Sequence, residues 1–237
     1  MKRHPLVITL LFLPILMISG CQLRGEIDPE ASLRHFTVLM PSPDCEPPCW
    51  RGLQPGKTTA SEAINLLKSI EEIDPDSIEE EYLDDEVLPT EIHRFGWAFP
   101  TPALERRGRA DFVEGRLAWL WFTAHEPSLS LGRALNDLYG EPDSVLVTTI
   151  SHDSKWTQII LLYLEKGIAL TLVIKDYPGE TVKIDPEMPV SETTYYDTGL
   201  YDLVAELSVP ALAVEKGLWL KRLQDWKGFD HAYQVVE

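Results

Sequence analysis

Basic residues and internal apolar runs are both scarce in this sequence, and each shortage excludes a class of protein. The 237 residues contain 21 Lys and Arg against 38 Asp and Glu, a formal net charge of −17. Nucleic-acid binding depends on neutralising phosphates with basic side chains, so this balance disfavours a nucleic-acid partner. Lying flat on an anionic membrane is disfavoured for the same reason. The most apolar internal stretch, 159–174, is interrupted by Glu165-Lys166-Gly167, which predicts a turn between two strands and no second membrane span.

The one long apolar run stands at the start of the chain. Lys2 and Arg3 precede an apolar run of 14 residues, 5–18. This length is too short to span a bilayer comfortably and is typical of a secretory signal peptide. The run ends in Ile-Ser-Gly-Cys at 18–21, which resembles the lipobox of bacterial lipoproteins. The resemblance implies cleavage before Cys21, diacylglycerol on its sulfur and acylation of the new amino group; an ordinary signal peptide cut nearby is the alternative.

A lipidated cysteine determines the expected organisation and location of the chain. Several acyl chains, at about 0.8 kcal/mol per buried CH₂, give durable anchoring. We expect residues 1–20 to be a cleaved signal peptide, 21–40 a lipidated N-terminus and tether, and 41–237 a single extracytoplasmic α+β domain. The membrane, through lipid on Cys21, is then the first partner, and the protein is attached to the cell membrane or outer membrane on its extracytoplasmic side. Removing residues 1–20 deletes two basic residues and no acid, which leaves a net charge of −19.

The two remaining cysteines lie close together, in the segment "CEPPC". In an oxidising compartment, Cys45 and Cys49 are most simply a disulfide. Closing a five-residue loop is worth about 2 kcal/mol in the chain-entropy model. A redox switch and half of a metal site are the alternatives. Redox enzymes favour Cys-x-x-Cys, and no His or Cys cluster adjoins the pair to complete a metal shell.

Three helices are predicted. Thr59-Ala-Ser-Glu62 fits the capping box, and apolar residues with helical spacing follow it to a helix end between 69 and 73. A second helix is predicted over 130–139, where Gly140 and Pro142 stop it. A C-terminal helix is predicted after Ser208, to about residue 224.

Strand patterns fill most of the rest. In 116–123, "RLAWLWF" is apolar on both faces, with Leu117 and Trp121 assigned to one face and Leu120 to the other, which predicts a central strand. Residues 71–91 contain 11 acidic and no Lys or Arg residues, which indicates a solvated acidic loop or frayed helix, with calcium binding as the alternative. Residues 176–197 are predicted to be irregular. The predicted strands are 93–99, 109–113, 116–123, 144–150, 156–164, 168–174, a short one at 181–184, and 200–207.

A faint internal repeat bears on the fold class. "TASEAINLL" (59–67) aligns with "SLGRALNDL" (130–138), and each copy is followed by about three strands. The sequence therefore predicts an α+β fold of antiparallel sheet with helices packed on one face and a C-terminal helix. The repeat indicates two similar helix-plus-meander halves, 41–125 and 126–237.

Two family resemblances agree with this fold. The segment 45–67, with its Cys-x₃-Cys-Trp-x-Gly and Pro-Gly-x-Thr motifs, resembles a family of uncharacterised bacterial lipoproteins, as do "LYGEPDSVLV" (138–147) and "LLYLEKGIALTLVI" (161–174). This resemblance implies a common fold and carries no activity. Gly-Lys-Thr at 56–58 and Gly-Glu-Pro at 140–142 resemble small outer-membrane-assembly lipoproteins and modules like the β-lactamase inhibitor protein, which bind other proteins.

Signatures of nucleotide binding and catalysis are incomplete. A P-loop needs four residues between its first glycine and Gly-Lys, and only three separate Gly52 from Gly56, so we expect no nucleotide. His125-Glu126 begins a zinc-protease motif whose second His is replaced by Leu129. Ser-His-Asp at 151–153 is read as a polar turn, because neighbouring strand residues face opposite sides. We expect no cofactor and no metal, and we interpret three other histidines as surface residues or ones satisfied by their neighbours: His35, His93 and His231.

We therefore expect a non-enzymatic, lipid-anchored envelope protein that binds a protein partner. Two alternatives from other classes stay open. One is an extracytoplasmic hydrolase with a site on strand-end loops, built from His93, His125 or acidic side chains. The other is a ligand or cation sensor that uses the acidic run 71–91.

Overall fold

The fold was analysed in a computed structural model, which describes residues 44–83, 91–99, 107–123, 129–152, 154–175, 177, 179–200 and 219–236. Within these residues the strands are, in chain order, β1 (Glu79–Leu83), β2 (Ile92–Ala98), β3 (Arg107–Val113), β4 (Arg116–Thr123), β5 (Ser144–His152), β6 (Ser154–Tyr163), β7 (Ile168–Lys175), β8 (Thr181–Lys183), β9 (Glu192–Tyr196), β10 (Gln224–Asp225) and β11 (Ala232–Gln234).

Nine of these strands form one open antiparallel sheet. Their order is β1-β2-β3-β4-β9-β7-β6-β5-β10, and β8 pairs separately with β11. Two meanders, β1 to β4 and β5 to β7, therefore lie side by side, and β9 joins them by pairing with both β4 and β7. β1 and the two-residue β10 stand at the ends of the order.

The described helices are few and short. Helix α1 (Ala60–Ser69) begins at the capping box of Thr59 and Glu62. Helix α2 (Leu131–Arg133) continues as a π-helical turn, Ala134–Tyr139. Gly140 ends this turn with a φ of +77°. Glycine adopts a positive φ without the steric strain of other residues, and the sequence predicted the helix to stop at this glycine. Three short 3₁₀ turns complete the helical residues: Pro75–Ser77, Thr198–Leu200 and Trp219–Arg222.

Buried apolar residues form two clusters. The larger unites α1, through Ala63 and Leu67, and α2, through Leu131, with sheet residues such as Phe112 and Leu161. The smaller cluster lies on the other face of the sheet. It contains Ile92, Val113, Ala118, Trp119, Leu146, Ile160, Leu162, Ala169 and Tyr196. The sheet is thus apolar on both faces, which is why central strands such as β4 read as continuous apolar runs.

The predicted antiparallel sheet is confirmed, with three differences in detail. The acidic stretch was predicted as loop or frayed helix, but Glu79–Leu83 is a strand, because its cross-strand partners include His93 and Arg94. The predicted irregular stretch 176–197 contains β9, a central strand. In β4 the register shifts opposite Asp111 and Phe112, so Leu117 and Leu120 share a core cluster that the alternation assigned to opposite faces.

Predictions for the C-terminal third fall mostly outside the described residues. The predicted helix from 208 to 224 lies there except for its end, where Trp219–Arg222 is a 3₁₀ turn and Gln224–Asp225 is strand. The predicted strand 200–207 also lies there, apart from Leu200, which closes a 3₁₀ turn. Among the described helices, none has the length and apolar character needed to cross a membrane.

Candidate functional site

The Cys45–Cys49 disulfide is present and closes a short loop before α1. The two Cα atoms are 5.1 Å apart, and the main-chain N–H of Gly52 donates a hydrogen bond to Sγ of Cys45 at 3.1 Å. Main-chain hydrogen bonds between Trp50 and Leu53, at 2.9 and 2.8 Å, tighten the turn that follows. Directly after the disulfide, the Trp50 side chain is buried in the larger core cluster.

Trp50 joins an aromatic cluster beneath the β2 to β4 strands. Its ring stacks on Trp97 with centroids 5.8 Å apart and tilts against Phe122 at 4.8 Å. Gly108 makes this packing possible, because a Cβ atom there would lie 2.1 Å from the Trp97 indole. The disulfide loop is therefore a structural element that delivers a core residue.

The Pro-Gly-Lys-Thr stretch that imitates a P-loop is used inside the fold. The N–H of Gly56 donates to the carbonyl of Leu117 at 2.7 Å, and the N–H of Leu117 donates to the carbonyl of Thr58 at 2.8 Å. Lys57 is exposed. These groups join the start of α1 to β4, which fits the interpretation of the stretch as a helix start.

Along β1, main-chain N–H and C=O groups alternate between facing β2 and facing away from the sheet, and one contact shows which residues face which way. Ser77 Oγ lies 3.0 Å from the N–H of Ala98 and 3.3 Å from its carbonyl, so the main-chain groups of Ala98 point toward the β1 side. Main-chain direction alternates along an antiparallel strand. Gly96, Arg94 and Ile92 therefore also point toward β1, and their partners are Glu79, Glu81 and Leu83.

By the same alternation, Glu80 and Tyr82 direct their N–H and C=O groups away from β2. Both side chains are exposed, Tyr82 to 61%. Among the residues that the structure describes, no main-chain hydrogen bond outside the β1–β2 ladder engages either residue. Two donors and two acceptors thus face outward from the end of the sheet.

A side-chain cluster braces this edge on the face of Tyr82. The Tyr82 ring stacks on His93, its cross-strand partner, with centroids 4.3 Å apart and planes within 6°. Glu80 Oε1 lies 2.7 Å from Nε2 of His93 and accepts a hydrogen bond from the Tyr82 hydroxyl at 3.1 Å. This hydrogen bond to a carboxylate raises the pKa of Tyr82.

On the opposite face an ion-pair network runs inward from β1. Arg94 donates from Nε and Nη2 to the two carboxylate oxygens of Asp111, at 2.7 and 3.0 Å, and its Nη1 lies 3.7 Å from Glu81. Arg109 Nε lies 3.1 Å from Asp111 Oδ2, an ion-pair distance without hydrogen-bond geometry. Asp111 is fully buried, and the positive charges of the two arginines compensate the cost of burying its carboxylate.

Arg109 connects this network to the centre of the sheet. Its guanidinium lies 4.9 Å above the ring of Trp121, whose indole N–H donates to Glu192 on β9 at 3.1 Å. Burial lowers the pKa of Arg109, although the charge of Asp111 opposes this effect. Ion pairs, a cation–π contact and a hydrogen bond therefore connect β1, β2, β3, β4 and β9 across one face of the sheet.

Of the residues considered from sequence, the structure places few in a shared site. Cys21, His35 and His125 lie outside the described residues. His93 has the Glu80 partner that sequence could not reveal, and His231 packs edge-on against Tyr233, 4.9 Å away. No group of three or more His, Cys, Asp or Glu in the described ranges is arranged to hold a metal ion.

Sequence reasoning missed the β1 edge. A signal was available, because antiparallel pairing of "EEEYL" with "IHRF" places Glu81 opposite Arg94 and Tyr82 opposite His93. The density of acidic residues obscured it.

No protein-family model, curated protein or solved structure matches this chain. The resemblances to a lipoprotein family and to small protein-binding modules therefore stay predictions.

Proposed function

We propose that this protein is a lipid-anchored, extracytoplasmic envelope protein that presents its antiparallel sheet as a non-enzymatic protein-binding module. Its anchor is lipid on Cys21, placed by the lipobox at 18–21. The Cys45–Cys49 disulfide supports this location, because such bonds persist in oxidising compartments and are rare in the cytosol.

The observation that carries the binding function is the exposed edge of β1. Edge strands with unpaired main-chain groups are ready templates for another chain, and proteins usually blunt or cover them. Here Glu80 and the exposed Tyr82 direct their main-chain groups outward from the described edge, and the stacking of Tyr82 on His93 braces the strand. A rigid edge of this kind suits recognition of a protein partner.

The finer architecture belongs to the same proposal. We infer that both helices cover one face of the sheet, that the chain comprises two similar helix-plus-meander halves, and that a C-terminal helix follows. The shared core cluster of α1, α2 and the strands supports the first inference. The capping residues Thr59 and Ser130, each before a helix and a meander, support the second.

The anchor is tested by labelling growing cells that express the chain with an alkyne-bearing palmitate. Wild-type protein is expected to incorporate the label and to fractionate with membranes. Cys21→Ser is expected to lose the label and to leave the membrane fraction, while Cys45→Ser with Cys49→Ser keeps both. A Cys21→Ser chain that still incorporates palmitate would overturn the anchor.

The binding function is tested by photo-cross-linking in the same cells. A photoreactive amino acid at position 82 is expected to give a discrete, ultraviolet-dependent adduct with one protein. The matched control is the same amino acid at Glu165, which is exposed on the β6–β7 turn in the opposite half of the strand order. No adduct from position 82 or from any other exposed strand position would contradict the function.

A further inference from the structure

The outward edge of β1 also indicates what kind of chain it receives. We propose that a partner polypeptide adds to this edge as an extra antiparallel or parallel strand, and that the added segment carries Lys or Arg side chains. This inference deepens the proposed function and rests on it, because it states how the module holds its partner.

Main-chain pairing is the first argument. Glu80 and Tyr82 offer two N–H and two C=O groups in one row, spaced as the rungs of a ladder. Strand addition satisfies all four with the main chain of the partner, whatever its side chains. The five residues of β1 suit a partner segment of about five to seven residues.

Charge is the second argument, and it selects the partner. Glu79, Glu80 and Glu81 are all exposed on β1, and residues 71–83 contain seven acids and no basic residue. Opposite charges directly across a strand pair attract, whereas like charges repel. A second copy of this chain pairing through β1 would set acidic strand against acidic strand. The charge therefore excludes self-association at this edge and favours a basic segment.

Tyr82 is the third argument. One face of its ring is covered by His93, while 61% of the side chain is exposed. An exposed tyrosine ring accepts the aliphatic stem of Lys or Arg and attracts the cationic head group. The same basic side chain can then reach the carboxylate of Glu80, whose Oε1 lies beside the tyrosine hydroxyl.

Preorganisation is the fourth argument. The stacked Tyr82–His93 pair braces one face of β1, and the Arg94 contacts to Glu81 and Asp111 brace the other. A strand held on both faces loses little conformational entropy when a partner pairs with it.

Amide hydrogen exchange of the full chain, followed by NMR in detergent, tests the proposal. The probe is the synthetic peptide Thr-Lys-Val-Lys-Thr-Lys-Val. Saturating peptide is expected to slow exchange of the Glu80 and Tyr82 amides at least tenfold. The Glu79 and Glu81 amides, already directed at β2, are expected to change less than twofold. Equal protection of all four amides, or of none, would overturn strand addition.

Matched peptides separate main-chain pairing from simple charge attraction. N-methylation of alternate residues, in both possible phases, gives two peptides of equal charge. One phase is expected to bind at least tenfold more weakly than the other, because only one phase presents its N–H groups to β1. Equal binding by both would show that charge alone holds the peptide. Replacing each lysine of the peptide with glutamate is expected to abolish binding, and retained binding would overturn the basic preference.

Two variants complete the test. Tyr82→Pro removes one outward N–H at an edge position where proline is tolerated. It is expected to weaken peptide binding at least tenfold, whereas Tyr82→Ala, which loses only the ring, is expected to weaken it about threefold. If the two variants bind equally, the main-chain contact is refuted. Adducts from exposed positions outside β1 together with a silent position 82 would refute this edge alone and leave the protein-binding function standing.

Discussion

One face of the sheet is held together by different chemistry at its two ends. On β2 and β3 this face carries the Arg94–Asp111–Arg109 network, with a fully buried carboxylate. On β5 to β7 it carries the aliphatic side chains of Leu146, Ile160 and Leu162. Ion pairs depend on every partner, because a lost partner leaves a buried charge, whereas aliphatic packing loses only area and volume. The two ends should therefore respond very differently to comparable substitutions.

The largest expected effect is at Asp111. Asp111→Asn removes the buried carboxylate that both partly buried arginines contact, and we expect a loss of about 3 kcal/mol in the free energy of unfolding. Ile160→Val, the matched change at the aliphatic end, is expected to cost about 1 kcal/mol. Urea denaturation of both variants measures the difference.

A triple variant sharpens this comparison. Arg94→Met, Asp111→Leu and Arg109→Met together remove every charge of the network. This chain is expected to be more stable than Asp111→Asn alone, because no uncompensated charge remains. If Asp111→Asn costs no more than Ile160→Val, the two ends do not differ as described.

The disulfide is a second asymmetry, since Cys45–Cys49 lies on the β2 to β4 side and delivers Trp50 to its core. Replacing both cysteines with serine is expected to cost about 2 kcal/mol. The double-serine variant and its reference chain both carry Cys21→Ser, so that in the reference chain only the Cys45–Cys49 disulfide responds to a reductant. Dithiothreitol should lower the melting temperature of the reference to that of the double variant. A reference chain insensitive to dithiothreitol would contradict a stabilising disulfide.

Alkaline pH should act through buried tyrosines at the centre of the sheet. Tyr195 accepts or donates a 2.8 Å hydrogen bond with Tyr139, and burial raises the pKa of Tyr195 to about 12. The folded chain keeps this proton between about pH 10 and 12, where the unfolded chain releases it. The resulting stability is complete below about pH 10 and falls by about 1.4 kcal/mol per pH unit above it.

Tyr195→Phe isolates this contribution. The variant is expected to lose about 1 kcal/mol at neutral pH with the hydrogen bond, and to show a slope above pH 10 that is shallower by about 1.4 kcal/mol per unit. Urea midpoints at pH 9, 10 and 11 supply the slopes. Identical slopes for variant and wild type would refute the role of this tyrosine.

The smallest effects are expected at the two helix starts. Thr59 and Glu62 form a complete capping box, so Thr59→Ala is expected to cost about 1 kcal/mol. Ser130 Oγ accepts from the N–H of Arg133 at a long 3.5 Å, and the carbonyls of Met188 and Pro186 already accept from the first two N–H groups of the helix. Ser130→Ala is therefore expected to cost only a few tenths of a kcal/mol. Equal losses would contradict this difference.

The capping box also predicts a small acid sensitivity. The main-chain hydrogen bond from Thr59 lowers the pKa of Glu62 below 4.5. A carboxylate with a lowered pKa stabilises the folded chain above its unfolded pKa, and this stability is lost as pH falls further. Glu62→Gln is expected to remove that part of the acid dependence in melting curves between pH 5 and 2.5. An unchanged acid profile would assign the sensitivity elsewhere.

Local signals predicted the local structure well. The capping box at Thr59 and the glycine stop at Gly140 were both readable, because each depends on main-chain conformation over a few residues. The strand β9 was missed, although Thr193-Thr194-Tyr195-Tyr196 is rich in strand-forming residues. Its partners on β4 and β7 are distant in sequence, and only pairing with them identifies it as central.

The sequence by itself determined the lipobox prediction, the disulfide pair, the helix starts and the antiparallel meanders. Each follows from residues that are neighbours in sequence or from the spacing of apolar residues within a single helix or strand. Only the tertiary structure decided which strand stands at the edge, that Leu117 and Leu120 share one face across a bulge, and that Asp111 faces two arginines. These features depend on strand register between separate segments, where a shift of one residue would exchange every side chain between the faces.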